Sequence, residues 1–191
     1  AIYCDGKGAT AAIWYLSQPE IYTEFVATVG EVGEKDFSNF HDAMRWALNQ
    51  VTVGGGSITL MLDDGVHDVG ELQHAGSQWN IYQLHNTIKI QSASGNKDNC
   101  TISVPASVGA SARTIFNAQQ GGFIVLKYVT IDPTVSGTAD RTMYAVNSAS
   151  GAVTTMDVTI KNCARGITME APGQIRLLSG LLIDNCNTGF Q

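Results

Sequence analysis

Towards the end of the chain, apolar and polar residues alternate at the period of two that a strand imposes. Val158 and Ile160 are interleaved with Thr159 and Lys161, so the apolar pair can turn inward while Thr and Lys face solvent. The pattern then returns. "VTIKNCARGI" (Val158 to Ile167) is followed by "LLIDNCNTGF" (Leu181 to Phe190), which matches it in character position for position. Ile160 and Ile183, Asn162 and Asn185, Cys163 and Cys186, and Gly166 and Gly189 are each 23 residues apart. A period in the low twenties belongs to solenoids, because each unit buries its apolar face only when a neighbour stacks on it. A leucine-rich repeat also ends its consensus in Asn or Cys, but it places two residues between the last strand Leu and that Asn. Here Ile-x-Asn leaves one, and no helical stripe follows. The repeat is read as two rounds of a β-helix, with Asn162 and Asn185 at a bend where their amides bond along the stack, about 4.8 Å per step. Cys163 and Cys186 stack likewise. Side chains in register project in parallel, so two reduced, half-buried thiols are expected and not a disulfide.

Upstream, residues 1–35 read as an arm or linker carrying one strand, "IYTEFVATVG", with Tyr22, Glu24, Val26 and Thr28 on one face and Ile21, Thr23, Phe25 and Ala27 on the other. The rest of the arm is either a linker from an upstream domain or a segment packed on a neighbouring subunit. "DFSNFHDAMRWALNQV" is the one helix. Phe40, Ala43, Met44, Ala47, Leu48 and Val51 form its apolar stripe, and Asp36 or Ser38 is expected to cap it. After "GGGS" comes "ITLMLDDGVHDV", a buried strand entering an Asp-Gly turn; Asp63 and Asp64 are read as turn formers. From there every element is a short strand: "TIKIQSAS", "CTISVP", "GGFIVLKYVTIDP" and the two matched rounds. Ile131 lies 29 residues before Ile160, one round plus an insertion at the polar stretch "TVSGTADRT". No helical pattern interrupts this region, which argues against a doubly wound α/β fold. Residues 36–191 are therefore expected to form a mainly β, parallel β-helix behind a capping helix.

Composition narrows the function classes. The 191 residues suffice for one domain with a real core, and 44% hydrophobic with 15% charged residues places the chain among globular proteins. A net charge of −6, with 11 scattered Lys and Arg, offers nothing to neutralise a phosphate backbone, so nucleic acid is not an expected partner. Apolar runs such as "ITLML" and "FIVL" are too short to cross a bilayer, so no membrane insertion is expected. Four Cys (Cys4, Cys100, Cys163, Cys186) contain no CxxC pair and point to a reducing compartment. His67 and His74 are read as exposed loop histidines; no metal site and no cofactor are expected, and no Ser-His-Asp, P-loop or dinucleotide signature is present.

An amphipathic helix, a GGG turn, a strand ending in Asp-Gly, and then β-rounds with Asn at the bend together resemble the right-handed parallel β-helices of the pectate-lyase-like superfamily. "ATVGEVGEKDFSNFHDAMRWALNQ", continued by "GGGSITLMLDDGVHDV", looks more narrowly like the start of β-helix domains in bacteriophage tail fibres and tailspikes. The resemblance covers roughly Phe25 to Gln191. It implies a homotrimer in the virion tail, made in the host cytoplasm, contacting other phage tail proteins and binding host cell-surface polysaccharide. The same fold serves secreted polysaccharide lyases and hydrolases, so the alternative is the N-terminal portion of such an enzyme. The chain carries few rounds and stops at "NTGFQ", and it is expected to be truncated there or completed by other subunits.

Glycan cleavage needs a positioned acid and base. Asp132, Lys161 and Asp184 each follow an aligned Ile and are expected in one outward row. Asp132 and Asp184 would then be about 10 Å apart, slightly wide for an inverting pair, and the row is read as an acid–base–acid surface ladder with the catalytic pair as its alternative. Trp79, Tyr82 and Tyr128 are the candidate sugar-stacking platforms, while Trp46 is assigned to helix packing and Trp14 to a neighbouring chain.

Overall fold

A computed structural model describes residues 24–50, 56–70, 79–82, 87–104, 114–135 and 143–191. Strand β1 (Phe25–Val29) precedes helix α1 (Phe40–Asn49). Five rounds of three strands follow: β2 (Ser57–Leu62), β3 (Gly65–Asp68) and β4 (Trp79–Ile81); β5 (Thr87–Ser92), β6 (Cys100–Ser103) and β7 (Thr114–Ala118); β8 (Phe123–Lys127), β9 (Thr130–Ile131) and β10 (Tyr144–Ser148); β11 (Ala152–Met156), β12 (Thr159–Lys161) and β13 (Arg165–Met169); β14 (Gln174–Ser179), β15 (Leu182–Asp184) and β16 (Thr188–Phe190). The first strand of each round joins one sheet, in the order β1-β2-β5-β8-β11-β14; the second joins β3-β6-β9-β12-β15 and the third β4-β7-β10-β13-β16. The pairings are parallel throughout, so the protein is mainly β with stacked parallel sheets, as a β-helix requires.

Register builds the core. Ile102, Ile131, Ile160 and Ile183 align across the second sheet, and Ile58, Ile88, Ile124, Val153 and Ile175 across the first. Trp79, Phe116, Val146, Ile167 and Phe190 align in the third. Strand alternation turns each row to the same side, so aliphatic groups meet step after step along the stack. The 29- and 23-residue offsets read from the sequence are the register found.

His67 is a correction. It lies in β3 opposite Ile102, at the head of the inward row, and is buried instead of exposed in a loop. Its Nε2 lies 2.8 Å from the Asp63 carbonyl oxygen, a partner supplied by the bend just before the strand, which makes the polar ring tolerable there. His74 lies outside the described residues.

The corners explain the polar residues between strands. Tyr128, Asp157 and Gly180 stand between first- and second-sheet strands with φ of 54°, 51° and 59°, and Asn162 and Asn185 stand between second- and third-sheet strands with φ of 57° and 50°. A single left-handed residue bends a strand sharply, and Asn, Asp and Gly enter that region at least cost. At the third corner, a Cβ on Gly122 would overlap the Ile81 carbonyl and one on Gly173 the Ser148 carbonyl, so the backbones approach too closely for any side chain.

Helix α1 buries Phe40, Ala43, Met44 and Ala47 of the expected stripe; Leu48 is half-buried and Val51 lies outside the described residues. The helix packs on β1, β2 and β3. Phe40 meets Phe116 edge-on with centroids 6.3 Å apart, and Trp46 sits 6.2 Å from Phe25 and 5.4 Å from Phe37. The cap differs from the expectation. Asn39 accepts from the Asp42 N–H at 2.9 Å, while Asp36 is occupied by the Thr28 N–H and hydroxyl at 2.8 and 2.9 Å. Cys163 is fully buried, not half-buried, because rounds lie on both sides of it; Cys186, in the last described round, is half-buried.

Candidate functional site

Asp132 does not face solvent. Its side chain is 4% exposed, and its carboxylate accepts from the Thr134 N–H at 3.0 Å, the Thr134 hydroxyl at 2.7 Å and the Asn162 amide at 3.1 Å to each oxygen. Lys161 Nζ lies 3.5 Å away. Burial pushes the Asp132 pKa up, but the hydrogen bonds from Thr134 and Asn162, with the Lys161 charge, outweigh it and hold the group below its ordinary value. The cause of the inward turn is Asn162: its left-handed corner aims the amide back along the stack onto the carboxylate of the previous round. Asn185 repeats the gesture, donating to Asn162 Oδ1 at 2.7 Å. Asp184, opposite Lys161 in the register, is exposed. The expected row thus divides into a locked carboxylate under an amide ladder and a surface carboxylate two steps away, about 10 Å along the stack. An acid whose lone pairs are taken and whose pKa is lowered is poorly placed to trade a proton.

The three aromatic candidates fall in different settings. Trp79 is 6% exposed, its indole N–H donates to the Val69 carbonyl at 3.2 Å, and its ring lies 5.3 Å from His41. It presents no open face for a sugar. Tyr82 is half-buried at the end of β4, and Tyr128, also half-buried, donates its hydroxyl to Met156 Sδ at 3.3 Å. Trp14 lies outside the described residues.

A cleft of about 530 Å³ lies beside the first bend, lined in part by Glu31, Asp63, Asp64, His67 and Asp68. Asp63 pairs with Lys35 at 2.7 Å, and Asp64 accepts from Ser94 Oγ at 2.5 Å and Asn99 Nδ2 at 3.4 Å. Both acids therefore hold the turn together. No group of His, Cys, Asp or Glu suited to a metal ion occurs among the described residues, and no helix among them is long and apolar enough to cross a membrane.

The residues that sequence reading passed over lie on the third sheet. Asn80, Asn117, Asn147 and Thr168 occupy one register row. Asn117 Nδ2 and Gln119 Nε2 both donate to Asn80 Oδ1 at 3.1 Å, and Asn147 Nδ2 donates to Glu170 Oε1 at 3.4 Å. Asn117 Oδ1, Asn147 Oδ1 and Thr168 Oγ1 are buried and have no hydrogen-bond partner. A signal was present: Trp79-Asn80, Phe116-Asn117 and Val146-Asn147 repeat an apolar residue followed by Asn in segments otherwise suited to strands, where Asn is disfavoured.

No family model, curated protein or solved structure matches this chain.

Proposed function

We propose that this chain is a right-handed parallel β-helix module of a bacteriophage tail fibre or tailspike, structural in character and binding a host-surface glycan, with no catalytic pair of its own. The handedness follows the near-universal right-handed sense of connections between parallel strands. The phage setting, the virion-tail location, the homotrimer and the contacts with other tail proteins rest on the resemblance of the Val-Gly segment, the Phe-containing helix and the Asp-Gly strand end. The observation that carries the non-catalytic reading is the state of Asp132. Its carboxylate accepts four hydrogen bonds, so the better buried of the two candidate acids is spent on holding adjacent rounds together.

The test uses purified protein on polysaccharide extracted from candidate host bacteria. Retention of the polysaccharide without release of reducing ends supports the reading. Release of oligosaccharides that disappears in Asp184→Asn or Asp132→Asn supports instead an N-terminal portion of a polysaccharide-degrading enzyme, and absence of both binding and cleavage removes the glycan from the proposal.

A further inference from the structure

The formal charge of the chain is gathered at one end of it. Residues 24–68 carry eight Asp and Glu against Lys35 and Arg45, a net −6 that equals the charge of the whole chain, so the remaining residues sum to zero. That segment holds β1, α1, β2 and β3, the end of the stack on which the helix packs. The cleft beside the first bend opens there, lined by residues 30–32, 38–40 and 63–68. Its charge is largely uncompensated. Lys35 meets Asp63, but Ser94 and Asn99, the donors to Asp64, are neutral, and Glu31 is exposed with no hydrogen bond or ion pair among the described residues.

His67 points to an occupant independently of the carboxylates. It lines the cleft at 8% exposure, and its Nε2 faces the Asp63 carbonyl oxygen, which can only accept. Nε2 therefore carries the proton of the neutral ring, and Nδ1 is an acceptor. Among the described residues no donor reaches Nδ1. A buried polar side chain with an acceptor left over is uncommon. Two apolar side chains complete the lining: Val32 is 81% exposed and Val66 52%.

We infer that this cleft docks a lysine- or arginine-bearing segment of a partner polypeptide, the cationic head group meeting Glu31, Asp64 and His67 Nδ1 and the aliphatic stem lying on Val32 and Val66. The inference does not depend on the glycan reading. Its class follows from the lining: the side-chain groups left to a ligand accept hydrogen bonds, so the ligand donates, and the uncompensated charge makes it a cation. A metal ion does not suit the cleft, because no described group of His, Cys, Asp or Glu could hold one. Exposed valines beside carboxylates fit a side chain that packs a methylene stem on apolar surface and keeps its charged tip among polar groups, as Lys and Arg do and an amino sugar does not. The volume, about 530 Å³, lies within the range of about 300–1,000 Å³ typical of ligand pockets, room for a side chain or two. The chain itself is a poor source of the cation. Residues 1–23 carry Lys7 against Asp5 and Glu20, and most described cations are engaged: Lys35, Lys89, Lys97 and Lys161 in ion pairs, Arg165 and Arg176 over Tyr144 and Phe123.

The test is a titration of the ¹⁵N-labelled full chain, followed by NMR, with the peptide acetyl-Leu-Arg-Leu-Arg-amide and with the same peptide carrying uncharged citrulline for arginine. The expected result is saturable shifts at residues 30–40 and 63–68, movement of the His67 Nδ1 signal as that nitrogen gains a donor, and binding about tenfold or more weaker for the citrulline peptide and for Glu31→Lys. Glu170→Lys makes the same charge change at an exposed residue outside the cleft and should bind within about twofold of wild type. Equal weakening by both variants reduces the effect to diffuse attraction and overturns the site. Equal binding of both peptides overturns the cationic class, and an unmoved Nδ1 signal overturns the placement of the head group. Glucosamine shifting these residues where the peptide does not overturns the polypeptide as occupant, and a chain that responds to neither probe overturns the inference whole.

Discussion

Asn185 donates its side-chain amide to Asn162 Oδ1 at 2.7 Å, and Asn162 in turn donates to the Asp132 carboxylate, so the ladder has a direction and ends on a charge. Each link polarises the next, and the terminal carboxylate gives the chain of bonds its anchor.

Removing the middle link tests the ladder. Asn162→Ala deletes the donor to a buried carboxylate and leaves at a left-handed corner a residue without the tolerance of Asn for that conformation, for an expected loss of about 2–4 kcal/mol in urea unfolding. Asn162→Gly keeps the corner geometry and loses only the amide, so it should be the milder of the two. Equal losses would mean that the backbone conformation contributes nothing.

The pH dependence follows from Asp132. Its folded pKa is lowered, so its contribution is present above the unfolded value, about 3.9, and is lost as pH falls through the folded value. Unfolding free energy measured from pH 6 down to pH 2 should therefore drop at the acid end, and the drop should shrink in Asp132→Asn. That variant faces Asn162 with a second amide, donor against donor, and should cost about 1–3 kcal/mol at pH 7. The exposed Asp184→Asn should cost less than about 1 kcal/mol.

Thr155 offers a stabilising change. It is fully buried in register with Leu126 and Leu178, and its hydroxyl has no partner. Thr155→Val keeps the shape and removes an unpaired polar group, so a gain of about 1 kcal/mol or more is expected from the denaturation midpoint.

The thiols should differ in reactivity. Contact with the Cys186 thiol and burial push Cys163 far above the ordinary thiol range, and burial with the charges of Asp64 and Asp63 pushes Cys100 up to about 12. Among the described thiols, iodoacetamide at pH 8 followed by mass spectrometry should label Cys186 before Cys163 and Cys100, which it should reach only on unfolding, because the thiolate is the reacting form. The Cys163 and Cys186 thiols each donate to the carbonyl two residues back at 3.4 Å, projecting in parallel, so no native disulfide between them should appear. Replacing both with Ala should cost about 1–2 kcal/mol as a cavity.

Association is the remaining expectation. Leu182 and Phe190 are exposed apolar side chains on β15 and β16, and a trimer that covers such surface should show in light scattering at micromolar concentration. A stable monomer would count against the trimer.

The repeat was legible in the chain itself because Ile-x-Asn-Cys is a local pattern: alternation sets which residues turn inward, and Asn marks the left-handed corner whatever surrounds it. The helix stripe was legible for the same reason, since its period of 3.6 needs no partner to be seen. Other features depend on what lies one round away. His67 reads as a loop residue until register sets it over Ile102, and Asp132 reads as a surface acid until the Asn162 amide, 30 residues on, reaches back to it. Asn117 and Asn147 look like isolated polar residues until parallel pairing lines them up. Rounds of unequal length hide that alignment from any fixed offset, and burial is a property of neighbours in space. Tertiary packing alone decided which polar groups became anchors, which stayed on the surface and which were left without a partner.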